Sequence, residues 1–192
     1  ICKKYNLKLI EDAAEMIGQT CHNSKCGSFG DLSTFSFYAN KHITTGEGGM
    51  ILTDSKEMYE KCKSLRNLCF QANQRFVHEE IGWNYRMTNV QAALGLGQLE
   101  RLDKIISRKR EIGNLYNQKL NHLKEFFSIP LISQSFAENI YWVYGIVLKD
   151  IKKYSSSKEL AQELKTRKIG TRPFFYPLHL QPVIQEKYPW LK

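Results

Sequence analysis

The sequence lacks any apolar run near the ~20 residues that span a bilayer, so no membrane-spanning helix is expected. No basic stretch followed by an apolar one opens it, and nothing points to secretion. Its glycines are not followed by the G-K-[ST] ending of a Walker phosphate loop. Paired short cysteine spacings are missing as well. Cys21, His22 and Cys26 have no second pair downstream, which argues against a structural zinc site. The five cysteines are odd in number, and with no leader this favours reduced thiols in a cytoplasm. Lys and Arg outnumber Asp and Glu by 28 to 19, a net +9 that admits anionic partners. No zinc-finger spacing or RNP-type aromatic motif accompanies that excess, so no nucleic-acid partner is expected. An initiator Met is absent: the chain opens on Ile1-Cys2-Lys3-Lys4 and closes on Tyr188-Pro189-Trp190-Leu191-Lys192. Both ends read as cuts through a longer protein.

What is present describes a folded chain. At 42% hydrophobic and 12% aromatic it is too apolar for disorder. Residues 7–11 (LKLIE) read as a buried strand, 33–38 (STFSFY) as a second and 48–53 (GGMILT) as a third. Asp54-Ser55 caps a helix over 56–69, with Met58, Cys62 and Leu65 inside. Cys62 and Cys69 are seven apart on that helix and share a face as small buried hydrophobes. Residues 70–86 read as a long polar loop. Thr88 opens a helical pattern through Val90, Leu94, Leu99, Leu102 and Ile106, and a second run passes through Ile112, Leu115 and Leu120. The cations Arg101, Lys104, Arg108, Lys109 and Arg110 fall there and read as a solvated helix face. Residues 140–148 (IYWVYGIVL) read as an apolar strand. Ser156 and Glu159 form a capping box, and Gly170 sits at the C′ position of that helix.

The composition changes near 105–125, from short strands and glycine loops to an α+β pattern. We place the domain boundary there, with 1–110 in a large domain and 111–192 in a small one.

Three clusters carry chemistry. The first is Glu11-Asp12-Ala13-Ala14-Glu15. Asp12 ends an apolar strand, where acids in α/β folds reach ligands beyond the carboxyl edge; an N-cap for a short helix explains it equally well. The second runs from Phe35 through Lys41 into Thr44-Thr45-Gly46-Glu47-Gly48-Gly49. A partly buried Lys just past a strand loses charge readily and condenses with a carbonyl. The third is Gly82-Trp83-Asn84-Tyr85-Arg86-Met87-Thr88. Asn and Arg at a helix start suit a phosphate, and a capping loop with a surface Arg is the plainer alternative.

Together these segments resemble the DegT/DnrJ/StrS group of pyridoxal-phosphate (PLP) sugar aminotransferases, which have the type I aminotransferase fold. The resemblance rests on IEDAAE at 10–15, GSFGDLSTFSFYANKHITTGEGGMILTD at 27–54 and GWNYRMTNVQAALGLGQLERLD at 82–103. It runs from Leu7 to Leu180. It implies an α/β fold made of a partial large domain, a mixed sheet with flanking helices, and a partial α+β small domain. It implies that Lys41 carries pyridoxal 5'-phosphate and later moves a proton. Asp12 then faces the pyridine nitrogen, Ser36 binds the cofactor phosphate, and Glu15 lies near the ring and substrate. Asn84 reaches the phosphate of the partner subunit's site, which implies a homodimer. Arg86 and His179 are candidate substrate contacts; for His179 a surface or packing role stands beside that one.

The reaction implied moves an amino group from L-glutamate to a keto group of a nucleotide-linked deoxysugar. The pairing of EDAAE with NKHITTGEGGM is similar to perosamine-synthase-type members, which act at C4 of a 4-keto-6-deoxy sugar. Alternatives are a 3-keto sugar or cyclitol aminotransferase, or a non-catalytic relative that keeps the fold. Lys41 argues against the lysine-less dehydratases. Family members are about twice this length, so the fragment alone is expected to be inactive.

Overall fold

The structure, a computed structural model, describes residues 1–70, 73–74, 76–149 and 156–190. Contacts divide it into two compact units. The first comprises Ile1–Tyr116 and Leu131–Tyr144, the second Asn117–Pro130 and Gly145–Lys192. Among the described residues no helix is long and apolar enough to cross a membrane.

The first unit starts with a single helical turn, α1 (Cys2–Tyr5), and a strand, β1 (Ile10–Asp12). A tight hairpin follows, β2 (Thr20–Cys21) and β3 (Ser24–Lys25), turned by His22 and Asn23 with φ of 49° and 64°. Those paired left-handed residues match the twist of the flanking strands. β4 (Leu32–Ser36) runs parallel to β1, with Asp12 opposite Thr34. β5 (Gly49–Leu52) runs antiparallel to β4, with Gly49 opposite Ser36. The result is a mixed three-stranded sheet with β4 central. Strand positions agree with the sequence to within a few residues, but the first is not the buried strand expected: Leu7, Leu9 and Ile10 are exposed in this chain. The core below it is Ile17, Phe37 and Ile43, packed by Phe35, Met87, Leu102 and Ile105.

α2 (Lys56–Leu65) begins as expected: Ser55 Oγ accepts from Met58 N at 3.3 Å. It ends four residues early. Trp83 N donates to Leu65 O at 2.7 Å and Tyr85 N to Arg66 O at 3.0 Å, so residues 83–85 take the carbonyls of the helix end. Leu68 and Cys69 then turn left-handed, with φ of 61° and 51°. Cys69 is buried, as expected for a small hydrophobe, but off the helix rather than sharing a face with Cys62.

α3 (Asn89–Leu99) has a full capping box, with Thr88 accepting from Gln91 N and the Gln91 side chain accepting from Thr88 N. α4 (Leu102–Leu120) follows after a two-residue break, so the first run ends at Leu99 instead of continuing to Ile106, and Ile106 and Ile112 share one helix. β6 (Phe127–Ser128) lies in the second unit. β7 (Ser133–Gln134) and β8 (Ala137–Glu138) form a small hairpin in the first.

Residues 140–148 do not form one strand. Only β9 (Val147–Leu148) does, paired with β6 in the second unit. Residues 140–142 are instead bonded by side chains. Asn139 Oδ1 accepts from Tyr141 N at 2.7 Å, and Tyr141 takes φ 47°. The apolar signal was real, since Ile140 and Tyr141 are buried, but the backbone partners are not a neighbouring strand.

In the second unit α5 (Ser157–Thr166) is capped by Ser156, whose Oγ accepts from Glu159 N at 3.3 Å. Its C-terminus corrects the sequence reading. Lys168, not Gly170, takes the left-handed C′ position at φ 61°. Lys168 N donates to Lys165 O and Ile169 N to Leu164 O, both at 3.0 Å, the two bonds of a Schellman end. A 3-10 turn, Leu178–Leu180, and α6 (Pro182–Lys187) complete the unit.

Candidate active site

β1 and β4 are parallel neighbours, so their carboxyl ends lie side by side. Asp12 ends β1 and Ser36 ends β4. This is where open α/β sheets place ligands. Asp12 does not cap a helix: its Oδ1 accepts from Ala14 N at 3.0 Å in a turn, and residues 13–17 stay non-helical. Asp12 is exposed, and among the described residues no other hydrogen bond to its side chain is present. Ser36 Oγ accepts from Tyr38 N at 3.3 Å, which leaves its hydroxyl proton to donate.

Glu11, one residue before Asp12, has a different task. Its carboxylate accepts from Gly27 N at 2.6 Å, Phe29 N at 2.9 Å and Ser33 Oγ at 3.3 Å. It is spent on holding the 27–29 turn.

Lys41 stands five residues past β4. A web of side chains fixes its turn. Thr44 Oγ1 donates to Phe37 O at 3.0 Å, and Thr45 Oγ1 donates to Glu47 O at 2.7 Å. Gln98 of α3 accepts from Thr44 N at 3.0 Å and donates to Thr44 O at 2.7 Å. Gln91 donates to Glu47 O at 3.0 Å. Gly48 closes the turn at φ 150°, where an added Cβ would press on the Thr45 hydroxyl and on Met87. The glycine turn therefore packs backbone against side chains, as the lack of a Walker ending implied.

The Lys41 side chain is only 9% exposed. Its Nζ is 3.6 Å from Glu15 Oε1. The face of Trp142 covers it, with Nζ 4.1 Å from the ring centroid. Trp142 Nε1 donates to Asn40 O at 3.1 Å. His42 is buried and bonds Ile140 O through Nε2 at 3.1 Å. Burial pushes the His42 imidazole below its ordinary range, and the nearby Lys109 and Lys41 charges add to this, against the raising effect of the Ile140 bond.

Asn84 and Arg86 lie on the exposed 82–88 segment. Arg86 Nε donates to Asn84 Oδ1 at 2.8 Å, and Arg86 NH1 donates to Asn67 Oδ1 at 3.0 Å. With its carbonyl engaged, Asn84 offers a ligand its amide NH2. Among the described residues no hydrogen bond or ion pair joins this pair to the Lys41 group. His179 lies exposed in the second unit.

Asp12 and Ser36 thus stand at adjacent carboxyl strand ends, and Glu15 and Lys41 meet in the segments that follow those strands. A carboxylate, a hydroxyl and a nearly buried primary amine there fit a ligand with a basic ring nitrogen, a phosphate and an aldehyde. Sequence reasoning missed Trp142, His42, Lys109 and the two glutamines. Gln91 and Gln98 did leave a signal: they are seven apart in an otherwise apolar helix, with Gly95 between them, and all three face the turn. The tryptophan left none, because it lies a hundred residues away from Lys41.

The sequence profile of the DegT/DnrJ/EryC1/StrS aminotransferase family matches residues 1–191. The chain is 41% identical over 188 residues to the GDP-perosamine synthase of Escherichia coli O157:H7, covering 98% of this chain and 50% of that protein. It is 41% identical over 186 residues to the GDP-perosamine synthase of Vibrio cholerae, covering 96% and 49%. Its fold matches Helicobacter pylori PseC, an aminotransferase of pseudaminic acid biosynthesis, with TM-score 0.86 at 29% identity, over 98% of this chain and 50% of that one. The chain therefore spans about half the length of the relatives it matches, and its mixed α/β architecture is part of the type I aminotransferase fold. By profile, sequence and fold, the chain belongs to the DegT/DnrJ/EryC1/StrS aminotransferase family.

Proposed function

We propose that the complete polypeptide is a PLP-dependent aminotransferase that moves the amino group of L-glutamate to C4 of a nucleotide-linked 4-keto-6-deoxyhexose. The single observation that carries this is the nearly buried Lys41, paired with Glu15 in the segments that follow the parallel strands β1 and β4, whose carboxyl ends carry Asp12 and Ser36. The kinship with two GDP-perosamine synthases supports the sugar class. When bound, PLP supplies an electron sink for the carbon that loses or gains the amine.

The chain's own residues do the rest. Lys41 holds the cofactor through its ε-amine and, once freed, carries a proton to and from the reacting carbon. Asp12 keeps the ring nitrogen protonated by placing a carboxylate opposite it. Ser36 donates its hydroxyl to the phosphate. Glu15 stands by Lys41 as a proton partner. Asn84 donates its NH2 to the phosphate in the second subunit of a homodimer, with Arg86 held beside it by two amide oxygens. Arg86 and His179 meet the nucleotide-sugar. The exposure of Val90, Leu94, Leu96 and Leu99 on α3 supports burial of that face in the whole assembly. We place the cofactor-domain share at residues 1–110, the small-domain share at 111–192, and the enzyme in the cytoplasm, where free cysteines persist.

The test is Lys41→Ala in the complete polypeptide. The visible absorbance of lysine-bound PLP is expected to vanish and transamination to stop, with the fold retained. Transamination at the wild-type rate would remove Lys41 from its role. The isolated 192-residue chain is expected to show neither the absorbance nor turnover.

A further inference from the structure

We propose that Trp142 is a positioning residue for Lys41, and that residues 139–142 form a strap whose task is to hold the indole against the lysine amine. Its significance for catalysis rests on the assignment of Lys41 as the PLP-bearing lysine.

The strap is fixed from several sides. Lys109 Nζ donates to Trp142 O at 3.1 Å, and Arg110 Nε donates to Asn139 O at 3.4 Å. Arg110 also pairs with Glu138 at 3.3 Å. His42 holds Ile140 O, and Tyr141 OH donates to Asn114 Oδ1 at 3.4 Å. The backbone of α4 comes close at Gly113, where an added Cβ would overlap the Tyr141 ring. Lys109 and Arg110 are thus not part of a solvated face, as the sequence suggested. Burial pushes the Lys109 ammonium below its ordinary range. Arg101, Lys104 and Arg108 do remain exposed.

These bonds fix the backbone and the neighbours of the residue that carries the indole. The indole is anchored at Asn40 O by its N–H, and its face lies 4.1 Å from Lys41 Nζ, well inside the ~6 Å reach of a cation–π contact. Glu15 is the other neighbour of the ammonium, but it is 37% exposed and its attraction is screened by water. The indole contact is not screened in this way. A lysine that alternates between bound and free states needs a defined resting place, because its four-carbon stem has many rotamers to lose. Trp142 and Glu15 together form that place.

The test uses the complete polypeptide without PLP. Reductive methylation of Lys41 is followed by mass spectrometry, with the 73%-exposed Lys8 as internal reference. Trp142→Leu is expected to raise the Lys41 labelling rate about three- to tenfold, and Trp142→Phe by less. In the loaded enzyme kcat falls while KM for glutamate holds. Unchanged Lys41 labelling in natively folded variants overturns the proposal. Should Trp142→Leu not fold, Trp142→Phe decides: a smaller rise supports the positioning role, and no rise overturns it. Borohydride trapping tests the underlying assignment separately. PLP trapped on a different lysine overturns the role of Lys41 in Proposed function, while the labelling result still judges the contact.

Discussion

Residues 37–48 and residues 82–88 both carry candidate site groups, yet they are built in opposite ways. The first segment is over-determined. Phe37, His42, Ile43 and Thr45 are buried, two glutamines bond its backbone, and a tryptophan covers its lysine. The second is exposed. Trp83 and Tyr85 stack on each other at 6.0 Å with 47% and 73% exposure, and Arg86 is held by two amide oxygens. A group that must meet a reacting atom at fixed distance is held on every side. Under the proposed function the second segment meets a ligand or a second subunit from outside, and an open segment suits that task.

That contrast can be broken most sharply by paired substitutions. In the complete polypeptide Lys41→Ala is expected to cost at least ~10³-fold in turnover, since under the proposed function it removes both the cofactor anchor and the proton carrier. Asn84→Ala is expected to weaken PLP binding about tenfold, the worth of one hydrogen bond to a charged group. Equal losses in kcat and PLP affinity from both would erase the distinction.

The same contrast appears in stability. Gln98→Leu strips two backbone partners from Thr44 and is expected to cost about 2 kcal/mol in chemical denaturation. Arg86→Ala, at the exposed segment, is expected to cost under about 1 kcal/mol. A larger loss from Arg86→Ala would show that the outer segment is structural.

The buried segment also predicts a pH dependence. His42 titrates below its ordinary 6.5 in the folded chain because it is buried and flanked by lysines. Its neutral form is the one the fold favours. Stability is therefore full above 6.5, declines as pH falls toward the lower folded value, and the contribution is gone beneath it. The slope is at most ~1.4 kcal/mol per pH unit. Thermal unfolding from pH 7 to pH 4 should show this component, and His42→Gln should remove it while keeping a donor for Ile140 O. An unchanged profile in His42→Gln assigns the acid sensitivity to other groups.

Local signals in the sequence located most elements. β1, β4 and β5 overlap the β-prone runs at 7–11, 33–38 and 48–53, and Ser55, Thr88 and Ser156 start the helices they were expected to cap. Caps and alternation are short-range physics, so one strand of text suffices for them. Two of the failures are long-range. α2 stops at Leu65 because residues 83–85 bond its end. Residues 140–142 leave the strand pattern because Asn139, His42 and Lys109 take their backbone groups. Lys168 serves where Gly170 was expected, since the two Schellman bonds place the left-handed residue two positions earlier.

The sequence by itself determined the family motifs, the place of Asp12 at the end of its strand, and the lysine that follows the second strand. Those follow from residue type and spacing along a continuous chain. Only the tertiary structure decided what surrounds Lys41. The indole of Trp142 and the carboxylate of Glu15 reach one amine from opposite directions in sequence, and Gln98 fixes the turn from 54 residues away. Contacts of that kind depend on where packing brings distant segments, and the polar Gln91 and Gln98 in α3 mark a facing partner without saying which segment it is.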